Sequence, residues 1–384
     1  MASMTGRERI AAAYRGEPVD YAPIWLREGF NIGEPYPEPD DFTQAWMWDP
    51  IYREMFEFIE PHIDGIGSWG CGGWGNRFLM IPPQYIHVET TQISPTVRRQ
   101  VGTIDTPRGP LTYIDDLHQN HKTWWHKKSA VESLDDLIKL SEVPFAVSRD
   151  DLTPFLDGFA KADAQMGDRG MVRTGFSSPI VCISHVMDFT LFLELTLSEN
   201  KLFHELLAEL SDRGCQIIDA LLEGRAPDTI VNIGGSEQCT PPMMGPRGYD
   251  EFVTPYDGPM VARLKQHGVI TTCHCHGKVG VGALQAMIEM GFDGTDPVEP
   301  PPAGDVTYAQ AREIADGKIT LIGNIEWDEL TFAEPEIIRQ RVREILDMGH
   351  DRLILGTSAG PVSPMDQRTA NNYRAMVETA LGYR

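Results

Sequence analysis

The chain has 384 residues, 41% of them hydrophobic, which is enough to bury one large α/β core or two medium ones. A formal charge of −23, from 33 basic and 56 acidic residues, repels nucleic acid and anionic membranes and makes both poor partners. It also disfavours a polyanionic substrate unless arginines gather locally.

The opening MASMTGRERIAAAYRG has no apolar signal core and no cleavage site. No apolar run approaches the roughly 20 residues of a membrane span. Six cysteines, two of them separated by one residue, do not make a small-domain disulfide framework. A cytoplasmic protein is expected.

Along the chain there is no internal repeat and no low-complexity stretch. The first third, to about residue 130, reads as irregular: WLREGFNIGEPYPEPDDF and GIGSWGCGGWGNRFLMIPP are rich in aromatics and Gly. Residues 85–130 within it read as strands, VETTQISPTVRRQVGTI being followed by a hairpin through TPRGPLTYI. From Leu134 onward the pattern is regular. DLIKLSEV and LTPFLDGFAKADAQMG are helices, and MVRTGFSSPIVCI is an apolar strand leading through DFTLFLELTL into a helix. ENKLFHELLAELSDRGCQIIDALLEG is a long amphipathic helix. Then TIVNIGG (strand), GYDEFVTPYDGPMVARLKQHG (one helix), VITTCHCHG (strand) and VGALQAMIEMG (helix) alternate. GFDGTDPVEPPP is a strand end with loop, ITLIGNI and RLILGTS are further strands, the helices TYAQAREIADG and PEIIRQRVREILDMG separate them, and TANNYRAMVETALG closes the chain as a helix. Five or more strand–helix alternations predict a parallel sheet in a single 384-residue domain. A (β/α)8 barrel is the first choice and a doubly wound sheet the second. No Gly-rich nucleotide loop is present.

The stretch ITTCHCHG, from Ile270 to Gly277, places two cysteines and two histidines in four consecutive positions. Strand side chains alternate between faces. Thr272, His274 and His276 therefore point one way and Thr271, Cys273 and Cys275 the other. A barrel keeps its active site at the strands' C-terminal ends, where two imidazoles at i, i+2 can share one metal ion. The bland alternative is one hydrogen-bonded core histidine and one loop histidine. A redox pair of cysteines would face the helical shell, away from solvent. A catalytic site needs a third protein ligand. Glu237 in NIGGSEQC is the first choice, because the neighbouring strand brings it beside the pair. Glu299 in DPVEPPP and Cys239 are the alternatives, and Asp296, Asn324, Glu326, Thr357 and Ser358 occupy other strand ends. Each acidic residue alone is equally a helix cap or a solvated loop charge.

Several stretches together resemble the uroporphyrinogen decarboxylase superfamily, which includes corrinoid and coenzyme M methyltransferases. They are TGRERIAAAYRGEPVDYAPIW, ISPTVRRQVGTIDTPRGPL, GFSSPIVCISHVMDFTLFLELTLSENKLFHELLAEL, GGSEQCTPPMMGPRGYDEFVTPYDGPMVARLKQHG, HCHG, GFDGTDPVEPPPAGDV, ITLIGNIEWDEL and LILGTSAGPVSPM. The resemblance spans nearly the whole chain in order. It implies a distorted TIM barrel with an N-terminal extension, and a homodimer at family level. It also implies departures from the decarboxylases themselves. Of their arginine pair only Arg27 is kept, their tyrosine corresponds to His185, and their final-strand histidine is replaced by Thr357 or Ser358. The methyltransferase branch carries His-x-Cys on the same strand and holds zinc. His274 matches that His, His276 stands where the Cys would be, and the last-strand Cys is absent, with Ser358 nearby. Two imidazoles and a carboxylate leave an ion more positive than thiolates do, a stronger Lewis acid, and the set suits Fe2+ as well as Zn2+.

Three functions are expected from this reading. The first is a metal-dependent methyltransferase taking a methyl from a small, methoxylated or similar substrate to a separate corrinoid protein or another acceptor. Catalytic roles fall to Glu237, Arg27, Glu299 and His185. Trp25, Trp69, Trp74 and Phe78 would line an aromatic pocket, with Arg77, Asn324 and Ser358 as further substrate contacts. The second is a lyase decarboxylating a small acid held by Arg27 or Arg77. The third is a non-catalytic metal- or ligand-binding barrel.

Overall fold

The computed structural model describes residues 3–384 except 28, 31, 33–35, 71–72, 224–228 and 362–363; parts of the WLREGFN and LILGTSAGPVSPM stretches lie outside the described residues. The described residues form twelve strands. Eight of them make one all-parallel sheet curled into a nearly closed barrel. These are β1 (Ile24–Trp25), β2 (Gly65–Ser68), β7 (Gly170–Ser177), β8 (Ile230–Gly234), β9 (Ile270–His274), β10 (Gly294–Asp296), β11 (Thr320–Ile325) and β12 (Leu353–Thr357). Their order is β1-β12-β11-β10-β9-β8-β7-β2. The doubly wound alternative is thereby overturned. Strands such as LILGT and TLIGNI are buried on both faces, as parallel strands between a filled interior and a helical shell must be. Register aligns Gly234 with His274 and Asp296 with His274. Three strand ends thus meet at one point of the rim.

The N-terminal third, read as irregular, supplies barrel strands β1 and β2. β1 has two residues and β2 reads GIGS, too short and too Gly-rich to show a period. No ladder joins them, and a cavity of about 170 Å³ sits at that seam between Trp25–Arg27 and Gly65–Ser68.

The barrel floor is apolar. Trp25, Ile66, Met171, Ile230, Ile270, Ile322 and Ile354 cluster there with one face of the helix Gly6–Arg15. Thr5 starts that helix with a capping box, its side chain accepting from Glu8 N–H while Glu8 reaches back to the Thr5 N–H. Tyr14 rises from the helix against Gly294, where a Cβ would lie 2.5 Å from the tyrosine ring. Only glycine lets the ring in.

Between β2 and β7 the chain makes a four-stranded antiparallel sheet of β3 (Ile86–Ser94), β4 (Val97–Ile104), β5 (Leu111–His118) and β6 (Trp124–Lys128). The predicted hairpin is its β4–β5 turn. GYDEFVTPYDGPMVARLKQHG, read as one helix, is two, Gly248–Phe252 and Thr254–Gln266. Pro255 stands in the first turn of the second, and its missing N–H and ring interrupt the run. Among the described residues no helix is long and apolar enough to cross a membrane.

Candidate active site

His274 ends β9 and His276 follows two residues later; their ring centroids are 4.7 Å apart with the planes at 90°. Each ring is anchored by a carboxylate. His274 Nδ1 lies 2.5 Å from Asp296 Oδ1, and His276 Nδ1 lies 2.8 Å from Glu299 Oε1. Glu299 also accepts the Gly277 N–H at 2.5 Å. Asp296 is fully buried and receives Arg27 Nη1 at Oδ1 and Arg173 Nη1 at Oδ2, both at 3.0 Å. The two guanidinium groups lie over the Trp25 ring, at 5.3 and 4.8 Å from its centroid.

The charges follow from these contacts. Burial alone would raise the Asp296 carboxyl, but Arg27, His274 and Arg173 outweigh it and hold the group well below the usual carboxylate range. An ionised carboxylate can only accept, so His274 Nδ1 carries a proton and donates to Asp296. Arg27 Nη2, 3.2 Å from the same Nδ1, is then a close neighbour rather than a donor to it. Burial likewise opposes charge at His276, yet the Glu299 hydrogen bond and charge keep this imidazole above its ordinary value. Glu299 is correspondingly lowered against its own burial.

Two cavities meet at the pair. One, of about 400 Å³, is the more polar of the two and is walled by Trp69, Arg173, His185, Asn232, Glu237 and His274, among others. The other, of about 470 Å³, is mainly apolar, with Phe189, Pro241, Pro242 and Met243 facing Glu237, His276 and Glu299. Glu237 borders both, and its Oε2 is buried without a hydrogen-bond partner. Among the described residues, no three His, Cys, Asp or Glu side chains stand close enough together to hold an ion as they are. The donor chemistry nevertheless fits a divalent cation. Two imidazoles are fixed through Nδ1 by carboxylates, the usual outer arrangement around a metal-binding histidine, and Glu237, with an orphaned carboxylate oxygen, borders the same two cavities.

Other sequence candidates fall elsewhere, and several expectations are corrected. Glu299 has both oxygens engaged, so it orients His276 instead of offering a third ligand. Cys239 is buried in the outer core, where burial pushes its thiol far up. Arg27 is bonded to Asp296 through Nη1. Arg77 leans on Asp115 at 3.6 Å over the Phe78 and Tyr113 rings. Trp74 packs edge-on against Phe145 in the core, and Phe78 is buried on Tyr113. Trp25 supports the arginines and lines the seam cavity. Asn324 borders a separate cavity with Pro300, Tyr308 and Met348. Ser358 accepts the Trp327 N–H and donates to Glu326, starting the helix Trp327–Phe332. Burial raises Glu326, and Thr357 donates to the Leu26 carbonyl. Trp69 and His185 do line the polar cavity; Gly158 makes room for Trp69, whose ring would lie 2.4 Å from a Cβ there. Burial, with Arg77 and His126 nearby, lowers His185. Cys273 and Cys275 face outward and are buried, as the alternation required.

Sequence reasoning passed over Arg173. Its signal was an arginine in the middle of the apolar strand MVRTGF, a charge with no reason to be there unless the barrel interior holds its partner.

The profile of the uroporphyrinogen decarboxylase (URO-D) family matches residues 125–383. The chain belongs to this family. Among solved structures it is similar to a methyltransferase from Methanosarcina mazei, with a TM-score of 0.62 at 15% identity, covering 99% of each chain. A putative vitamin-B12 independent methionine synthase from Listeria monocytogenes matches at a TM-score of 0.41 and 14% identity, over 60% of this chain and 69% of that one. No curated protein sequence matches the chain.

Proposed function

We propose that the protein is a metal-dependent methyltransferase that takes a methyl group from a small, methoxylated or similar substrate and passes it to a corrinoid protein or another acceptor. The observation that supports it most is the pair of carboxylate-anchored imidazoles facing two cavities across Glu237. His274 and His276 through Nε2, with Glu237, would hold Zn2+ or Fe2+. When bound, the ion supplies a Lewis acid for a substrate oxygen. The chain does the rest. Asp296 and Glu299 keep a proton on each Nδ1, and the Arg27–Asp296–Arg173 layer fixes the ring of His274 from below. Trp69 and Phe176 give the more polar cavity aromatic walls, and His185, kept neutral by burial, can accept a hydrogen bond there. The Methanosarcina mazei methyltransferase shares the fold over its full length, which is in keeping with this reading.

Decarboxylation of a small acid is the weaker reading. It needs an arginine for the carboxylate, and Arg27, Arg77 and Arg173 each already face a buried aspartate. A non-catalytic metal- or ligand-binding barrel would use the same anchored histidines, and is told apart by the absence of turnover.

The test is elemental analysis of the purified chain, with His274→Ala and His276→Ala beside it. Near-stoichiometric zinc or iron is expected in the parent and loss in both variants, without loss of the fold by circular dichroism. Metal retained in both would end the reading. Incubation with a corrinoid protein and methoxyarenes, followed through the methyl-cobalt spectrum, separates transfer from release of CO2.

A further inference from the structure

We propose that two copies of the chain join through the outer edge of β3. The two strands run antiparallel about a two-fold axis at Thr90, so that two four-stranded sheets become one of eight.

The antiparallel sheet has two edge strands, and they are built differently. β6 is five residues long, WWHKK, and shortness and lysines are what keep an edge from pairing. β3 is nine residues long, IHVETTQIS, with no Lys, Arg or Pro. Five of the nine are β-branched, a composition that suits a pleated surface with something packed against it. Nothing within the chain covers it. Seven consecutive residues, His87 to Ile93, are exposed, with Val88 at 46% and Ile93 at 48%. Among the described residues no strand lies on its outer side, and such a row of N–H and C=O groups is a template for another strand. The ladder to β4 keeps its register from Ile86 to Gln92 and shifts only beyond it, so the edge is regular over most of its length.

Charge points to a second copy as the occupant. Residues 86–128 hold six Lys and Arg against four Asp and Glu, in a chain with 33 and 56. Two chains at −23 repel each other, and this sheet lacks the acidic excess. An isologous contact sets the same patch against itself, which here brings together the parts that repel least. Pairing about Thr90, the midpoint of the strand, engages its whole length and sets Glu89 opposite Thr91 and Val88 opposite Gln92. An axis at Glu89 would set two carboxylates face to face, which is destabilising. His87, the other titratable group of the strand, lies 2.8 Å from Asp105. The contact is made three strands away from β6, whose His126 is close enough to His185 at the mouth to act on its charge.

The test is the mass of the purified chain in solution, by sedimentation equilibrium over a range of concentrations. A dimer is expected. Thr90→Lys, at an exposed position, sets two ammonium groups opposite each other and is expected to weaken the dimer about tenfold or more, with the circular dichroism of the parent. Thr90→Cys brings two thiols together across the axis, where paired strands hold Cα atoms about 4.5–5.5 Å apart, and mild oxidation is expected to lock the dimer covalently. Val101→Cys, one strand inward beside Glu89, leaves its thiols three strand spacings apart, about 14 Å or more, and should stay unlinked, as the parent should. A parent that is monomeric at every concentration overturns the proposal and would leave β3 to a strand of another protein. A dimer that Thr90→Lys does not weaken, or that Thr90→Cys locks no better than Val101→Cys, overturns it as well, because the contact then lies elsewhere. Should Thr90→Lys not fold, the two cysteine variants decide.

Discussion

Asp296 and Asp257 are both buried carboxylates, one inside the barrel and one in its helical shell, and they have opposite fates. Asp296 faces two guanidinium groups and an imidazole and is held well below the ordinary range. Asp257, on the helix Thr254–Gln266, has the hydroxyl of Ser178 at 2.7 Å and an unpartnered second oxygen, and burial pushes it up to about 7. Burial is equal; partners decide. The interior is thus a place where charge is kept, and the shell one where charge is only tolerated. β9 repeats the contrast in a single strand. His274 opens on a cavity, whereas the thiol of Cys273, one residue earlier, is raised well above its ordinary value by burial.

The contrast can be broken most severely at Asp296. Asp296→Ala leaves two buried arginines facing no anion, and a loss of about 3–5 kcal/mol is expected in urea unfolding. A loss under about 1 kcal/mol would mean that the arginines find other partners and that the interior layer is not a unit. Asp257 sharpens it from the other side. Its folded value lies above the unfolded 3.8, so its contribution is fully present below about pH 4 and is lost as pH rises through about 7. Asp257→Asn should therefore gain about 2–4 kcal/mol over the parent at pH 8 and little at pH 4. Melting temperatures across that range check it, and parallel curves would contradict the assignment. Third, Glu299→Gln removes the anion behind His276 and is expected to weaken metal affinity about 10–100-fold, measured by competition with a chelator. Smallest is the response of the thiols. Cys273→Ser and Cys275→Ser should keep the parent's metal content, and both cysteines should resist a thiol reagent until the chain is unfolded. Metal lost in either serine variant would reverse the assignment of faces.

Much of this was legible in ITTCHCHG, because pleat alternation alone separates the histidines from the cysteines and the strand's end places them at a rim. Glu237, just past the end of the neighbouring strand, borders both cavities at the pair. The anchors could not be read that way. Arg27 meets Asp296 from 269 residues away, and nothing local in WLREGF or GTDPVEP announces the pairing. By sequence alone Asp296 is one strand end among several. Ser358 and Cys239 look like site residues by type, yet one caps a helix and the other fills core, roles fixed by which way a turn happens to face. β1 and β2 escaped because two residues, or four with two glycines, carry no period.

The helix Gly6–Arg15, with Tyr14 seated on Gly294, stoppers the end of the barrel opposite the histidines. On the function proposed above, a methyl donor and its acceptor would both come to the histidines from the mouth, and would have to take turns there or stand side by side.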